Sequence, residues 1–211
     1  MPNEEPVRRI PAAERREQLL DTARTIILKD GAGALTMSAL ADAVGVTKPI
    51  VYKHFGNSEE VVVEILRRYS QDSIDYTSVR VSGARTIFDF MDKMIDALFD
   101  FIKNEGSLVR SITNGFSSSV KVDAYFLEMQ RRSLRVYKHL LTQQGVPEKQ
   151  ASLAAYALIE MINSTITEFA DQADETDRQT LKQIVRGTLR VLVRGKNVKP
   201  VVPIRIIAPD Q

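Results

Sequence analysis

The chain has no cysteine, which excludes disulfides, thiolate catalysis and any zinc site built on thiolates. Histidine is nearly absent too: His54 and His139 are the two examples, and they fall in segments that read as different helices. Neither an HExxH spacing nor a phosphate-cradling glycine loop is present. Carboxylate pairs such as Asp92 and Asp96 read as a solvated helix face. The chain is therefore not expected to be an enzyme, and no cofactor or metal is expected. No apolar run approaches the roughly 18 residues of a membrane span, and the charged, proline-bearing N-terminus has no signal-peptide core. The expected location is the cytoplasm. A net charge of +2 is too small to mark a nucleic-acid binder by itself, so any basic footprint must be local. Apolar residues, by contrast, are plentiful, at 44% of 211 residues, enough for a real core in one or two domains.

The stretch from Leu35 to Glu60, LTMSALADAVGVTKPIVYKHFGNSEE, organises the rest. Met37, Leu40, Ala41 and Val44 recur at helical spacing, behind Thr36 as a natural N-cap. Gly45 ends that helix, because a left-handed C-terminal residue costs least without a β-carbon. A second helix restarts at Thr47 or Lys48, with Pro49 in the first turn, where its missing N–H does no harm. Val51 and Phe55, four residues apart, give it one small apolar stripe. Helix, glycine turn, short helix is the helix-turn-helix pattern, whose second helix enters the DNA major groove. The chemistry suits that role: Lys48 can reach guanine or a phosphate, Pro49 and Ile50 can meet thymine methyls, and Tyr52, Lys53 and His54 offer donors toward phosphates. On spacing alone, ordinary core packing of a short amphipathic helix stays open.

The residues Ala23, Ile26-Ile27, Gly31, Leu35-Thr36-Met37, Leu40 to Pro49, Val51 to Phe55 and Glu59-Glu60 together resemble the DNA-binding domain of the TetR family of transcriptional regulators, over roughly residues 12 to 66. The resemblance implies an all-helical homodimer of about nine helices: an N-terminal three-helix helix-turn-helix domain and a larger helical-bundle domain for ligand binding and dimerisation. Carried over by position, Thr36, Thr47, Tyr52 and His54 resemble backbone-contacting residues of DNA, and Lys48, Pro49, Ile50 and Lys53 base-facing ones. Two positions depart from the pattern. Ile27 stands where the family usually has an aromatic. Ser58 stands where it often has a phosphate-touching lysine, leaving at most one weaker hydrogen bond there.

Read in order, residues 1–11 form an expected flexible arm, since Pro2, Pro6 and Pro11 oppose a helix. Its Arg8 and Arg9 suit a minor groove or simply a solvated tail. Residues 12–57 form the expected DNA-binding domain, opened by a supporting helix from Ala12 to about Lys29. Residues 58–195 form the expected effector-binding and dimerisation domain. Its first helix runs from Ser58 to about Val79, starting with a capping-box-like Asn57 and Glu60; in the family it is the lever between domains. Thr86 to Lys103 is apolar around most of its circumference, the pattern of a helix inside a bundle. Asn104-Glu105-Gly106 is an expected break before a short helix at Ser107 to Thr113. Val120 to Gln144, Glu148 to about Gln172, and Glu175 to Arg194 complete the expected helices. Residues 196–211, with three prolines among β-branched residues, form an extended tail on their own domain or on a partner.

An effector pocket is implied by the resemblance rather than by the residues themselves. Phe90, Met94, Phe116, Phe126, Met129 and Tyr137 are its candidate lining, although such stripes more often build plain core. That composition favours a small hydrophobic effector, acyl or lipid-like, and no basic cluster is visible to hold a phosphate. Ala154, Leu158, Met161, Thr165, Ile184, Gly187 and Thr188 are candidate dimer-interface residues on the last two helices, though the same stripes would also close a monomer's bundle. The reading is a ligand-responsive regulator, most simply a repressor released from a palindromic double-stranded operator. Its rival is an effector-independent DNA-binding or architectural protein.

Overall fold

The computed structural model describes residues 10–169 and 172–201. The order is α1 (Ala12–Asp30), a 3-10 turn (Ala32–Ala34), α2 (Met37–Val44), α3 (Lys48–His54), α4 (Ser58–Val81), α5 (Ile87–Gly115), α6 (Val120–Gln143), α7 (Glu148–Phe169) and α8 (Glu175–Leu192). No strand occurs among the described residues, so the all-α expectation holds. The expected arm at residues 1–11 lies outside the described residues up to residue 9, and so does the expected tail beyond Val201.

The described residues form eight α-helices, close to the expected count of about nine; the difference is that α5 does not break at Asn104-Glu105-Gly106. A mid-helix glycine costs only about 1 kcal/mol. Leu108 and Ile112 carry on the apolar spacing of Phe101, and at 2% and 0% exposure their burial outweighs that cost.

The chain divides into two compact units: residues up to Leu66 together with Leu108–Val122, and Arg67–Ser107 together with the chain from Asp123 on. In the first unit, Leu19, Leu20, Ala23 and Ile27 are the buried face of α1. Gly31 ends α1 at φ +86, donating to the Ile27 carbonyl at 3.1 Å. The end of α5 fastens the following turn. The Ser111 hydroxyl accepts from the Ala32 N–H at 3.0 Å and donates to the Ile27 carbonyl at 3.2 Å.

The second unit has its own apolar core, drawn from Ile87, Met91, Ile95 and Phe99 of α5, Leu140 of α6, Leu158 and Ile162 of α7, and Leu181, Val185 and Leu189 of α8, among others. The acidic stripe of α5, expected to face solvent, instead meets α8 in antiparallel register. Asp92, Asp96 and Asp100, one turn apart, pair with Arg186, Lys182 and Arg178: Lys182 Nζ lies 2.5 Å from Asp96, Arg178 lies 2.6 Å from Asp100, and Arg186 grips both Asp92 oxygens. The expectation failed because the complementary charges lie more than seventy residues away in sequence. Beyond the ladder, an open cleft of about 300 Å³ is lined by Thr86, Phe88, Asp89, Asp92, Arg186 and Arg190. The start of the tail lies extended on its own unit: the Lys199 N–H donates to Gln144 Oε1 at 2.8 Å, the Val201 N–H to the Arg85 carbonyl at 3.3 Å, and Val201 joins the core.

Candidate nucleic-acid interface

The first unit presents α3 by fixing both of its ends. Thr36 caps α2, its hydroxyl oxygen accepting from the Ala39 N–H at 3.0 Å, a bond that does not use the hydroxyl hydrogen. Gly45 closes α2 in the left-handed conformation at φ +75, a geometry that any β-carbon would strain. The Val46 N–H returns to the Ala41 carbonyl at 3.0 Å, completing the turn. Thr47 then caps α3 through its backbone alone, so its hydroxyl too is uncommitted.

Val51 of α3 and Phe55, the residue that caps its C-terminus, turn inward at 0% and 3% exposure, while Lys48, Pro49, Ile50, Tyr52 and Lys53 are exposed. Helical spacing puts Lys48 with Tyr52 and Pro49 with Lys53 on the outer face. Tyr52 is 54% exposed and Ile50 38%: two large apolar groups that the fold leaves bare. His54 is half-buried at the end of the helix.

Arginines of α1 complete the basic face, and the sequence reading missed them. Arg16 lies 4.7 Å over the Phe55 ring and 3.3 Å from Glu64, so it ties α1 to the end of α3 and to α4. Arg15 holds Gln18 Oε1 at 2.5 Å. The adjacent pair Arg15-Arg16 was the available signal, but nothing in the local pattern shows that it lies beside His54. At the following turn, Asn57 Oδ1 accepts from the Glu60 N–H at 3.0 Å, and Glu60 Oε2 accepts from the Gly56 N–H at 2.8 Å. This is the anticipated capping box, with the glutamate reaching one residue further back. Lys121 pairs with the same carboxylate at 2.9 Å, and the lysine and the Gly56 N–H together hold the Glu60 carboxyl below its ordinary range. Ser58 is the first residue of α4 and half-buried.

The His54 imidazole is held below its ordinary 6.5, first by partial burial and then by the charges of Lys53, Arg16 and Arg15. Near neutral pH it is uncharged. If His54 meets a DNA phosphate, that phosphate favours the imidazolium, binding takes up a proton, and affinity should rise as pH falls below 6.5. One proton limits the gain to about tenfold per pH unit. The unfolded chain binds that proton at higher pH than the fold does, so acidification should also lower fold stability across this window. Anisotropy titrations at several pH values check this; His54→Gln should flatten the profile, and an unchanged profile would remove His54 from the interface.

Of the other sequence candidates, Phe90, Met94 and Tyr137 sit together in the core of the second unit. Phe126 and Met129 are half-buried on α6 in that unit, and Phe116 belongs to the first. On α7, Leu158 faces its own core, while Ala154, Met161 and Thr165 are half-buried. On α8, Ile184 (51% exposed), Gly187 and Thr188 are open. Leu153 and Tyr156, which are 73% and 49% exposed, are large open residues of α7 that the sequence reading passed over.

A capped helix pair with a bare, basic and partly apolar second helix, in a chain whose described residues form helices and no strand, is a helix-turn-helix arrangement. Residues 19–65 match the model of the bacterial regulatory proteins of the tetR family. The chain is 34% identical over 107 residues to the HTH-type transcriptional activator FasR of Mycolicibacterium smegmatis, covering 49% of this chain and 48% of that one. It is 39% identical over 70 residues to the HTH-type transcriptional repressor KstR2 of Rhodococcus jostii, covering 33% and 34%. The matches thus span about half of the first relative and a third of the second. Among solved structures, the fold is similar to that of a TetR-family transcriptional regulator from Streptomyces coelicolor (TM-score 0.68, 18% identity, 86% of this chain and 97% of that one). It is also similar to that of the fatty acid degradation regulator FadR from Bacillus halodurans (TM-score 0.61, 18% identity, 89% and 97%). The segment 19–65 is thus similar to the tetR family of bacterial regulatory proteins, and the fold is similar to that of a solved TetR-family regulator.

Proposed function

We propose that this protein is a cytoplasmic repressor that binds a palindromic operator as a homodimer and is released by a small hydrophobic effector. The observation that carries the DNA-binding part is the outer face of α3, where Lys48, Pro49, Ile50, Tyr52 and Lys53 stand exposed around the buried pair Val51 and Phe55. Two such helices, one per protomer, would enter successive major grooves of a two-fold site. Among the described residues no helix is long and apolar enough to cross a membrane. The relatives named an activator and a repressor leave activation as the second reading, separated from repression by a promoter reporter with and without the protein.

Release would work by population shift. Helices α4, α5 and α6 each contribute residues to both units. A ligand favouring one packing of the second unit would bias helices that also build the first, and only by as much as it prefers that packing. The testing experiment is fluorescence anisotropy on DNA from the gene's own upstream region against scrambled DNA at two salt concentrations. Specific binding that weakens with salt is expected; equal weak binding to both overturns the reading.

The dimer would form through the open faces of α7 and α8. Leu153, Tyr156, Ile184 and Val191 are at least 49% exposed, and a β-carbon on Gly187 would meet nothing within 4 Å in the protomer. A mid-helix glycine with nothing packed on it gains its purpose from a partner helix crossing there. Ile184→Glu should give monomers in analytical ultracentrifugation and lose the dimer's tight operator binding, while the helical circular dichroism stays unchanged. A dimeric Ile184→Glu would place the interface elsewhere.

A further inference from the structure

The turn that follows α3 is held by a charge from another helix of the same unit. Glu60 Oε2 accepts from the Gly56 N–H at 2.8 Å, and Glu60 Oε1 accepts from Lys121 Nζ at 2.9 Å. Gly56 comes directly after Phe55, the C-cap of α3. The carboxylate is therefore one hydrogen bond away from the backbone leaving the helix end that carries Lys53 and His54. Glu59 and Glu60 suit the first turn of α4, where acidic side chains complement the positive end of the helix. Lys121 is the second residue of α6, where the same dipole disfavours a cation. A side chain that breaks the rule of its own helix gains from something outside that helix. Here the gain is Glu60, 61 positions earlier in the chain. The two side chains are 49% and 45% exposed, so in the protein alone the pair contributes little stability. Its consequence lies at the interface. A bare carboxylate beside the end of α3 would repel an arriving phosphate backbone, and within a Debye length of about 8 Å salt does not screen that repulsion away.

We propose that Lys121 is a positioning residue for DNA binding: its ammonium neutralises the Glu60 carboxylate and holds it on the Gly56 N–H, so that the end of α3 meets the phosphate backbone without an unpaired negative charge. This rests on the DNA-binding reading of α3 and adds to it a residue from outside the helix-turn-helix. In this role Lys121 reads no base, so its contribution is the same on every sequence. It acts through Glu60, and the two are too far apart in the chain for the sequence alone to show the pairing.

The test is fluorescence anisotropy of the full chain on DNA from the gene's own upstream region and on scrambled DNA, with urea unfolding alongside. Lys121→Met should weaken both complexes by about 3- to 10-fold, with their ratio unchanged and the urea midpoint near wild type. Glu60→Gln keeps an oxygen for the Gly56 N–H, as glutamine does in a capping box, and should bind at least as tightly as wild type. Glu60→Gln combined with Lys121→Met should return to wild-type affinity. Lys138→Met removes an equal charge about 25 Å further along α6, from a pair with Glu148, and should leave affinity at wild type. A double variant as weak as Lys121→Met would mean that the ammonium meets a phosphate itself, and overturns the proposal. Wild-type affinity in Lys121→Met overturns it, as does a loss matched by a lower urea midpoint. An equal loss in Lys138→Met overturns it as an effect of net charge. Equal binding of the wild type to both fragments removes the operator reading alone, and the Lys121 comparison is then decided on scrambled DNA. No binding to either fragment overturns both.

Discussion

Truncating Lys48 to alanine should flatten the preference between operator bases, whereas truncating Tyr52 should weaken binding to every sequence by a similar factor. Both side chains are exposed, Tyr52 at 54%, so neither change disturbs the fold, whose contribution from α3 is Val51 and Phe55. A lysine contact to a guanine edge carries roughly 1–3 kcal/mol of discrimination, and that is the contact proposed for Lys48. In Lys48→Ala the ratio of operator to scrambled affinity should therefore fall by about 5- to 150-fold. A tyrosine hydroxyl to a phosphate reads no base. In Tyr52→Ala both affinities should fall together by about 1 kcal/mol or somewhat more, and Tyr52→Phe separates the hydroxyl from the ring. Anisotropy at several salt concentrations adds a second criterion. A lysine that only neutralises a phosphate lowers the salt slope by about one when removed, with specificity unchanged. That result would make Lys48 a phosphate contact and move base reading to Pro49, Ile50 and Lys53.

How much of this was legible follows the range of the forces involved. The Thr36 cap, the left-handed Gly45 and the inward pair Val51 and Phe55 are local, each decided within one turn of chain, and the structure has all of them. The continuity of α5 was not legible, because the local cost of Gly106 is set against burial of Leu108 and Ile112 by distant helices. The pairing of Asp92, Asp96 and Asp100 with α8 was hidden for the same reason, as was the approach of Arg16 to Phe55. On α7, spacing alone could not separate the inward residue Leu158 from the outward residues Leu153 and Tyr156, since the helix is apolar on both sides.

Gly115 shows the same limit at one atom, and replacing it should damage DNA binding from outside the helix-turn-helix. It is exposed and its φ is not positive, so neither burial nor backbone conformation demands glycine. Contact does: a β-carbon there would lie 2.8 Å from the Gly33 nitrogen and 2.9 Å from the Ala32 β-carbon. Neither atom is the end of a flexible side chain. Both belong to the 3-10 turn that Ser111, one helical turn earlier, holds through the Ala32 N–H. That turn leads directly into Leu35 and the Thr36 cap of α2, so displacing it shifts the frame on which α3 is presented. Gly115→Val should cost about 1–3 kcal/mol, the usual range for overpacking a tight contact, read as a lower urea midpoint, and should weaken operator binding beyond what the lost stability explains. Gly33→Ala is the control, since its β-carbon meets nothing within 4 Å and should leave both measurements near wild type. Wild-type stability and affinity in Gly115→Val would mean that the end of α5 does not set the position of the turn, and that α2 and α3 are held by α1 and α4 alone.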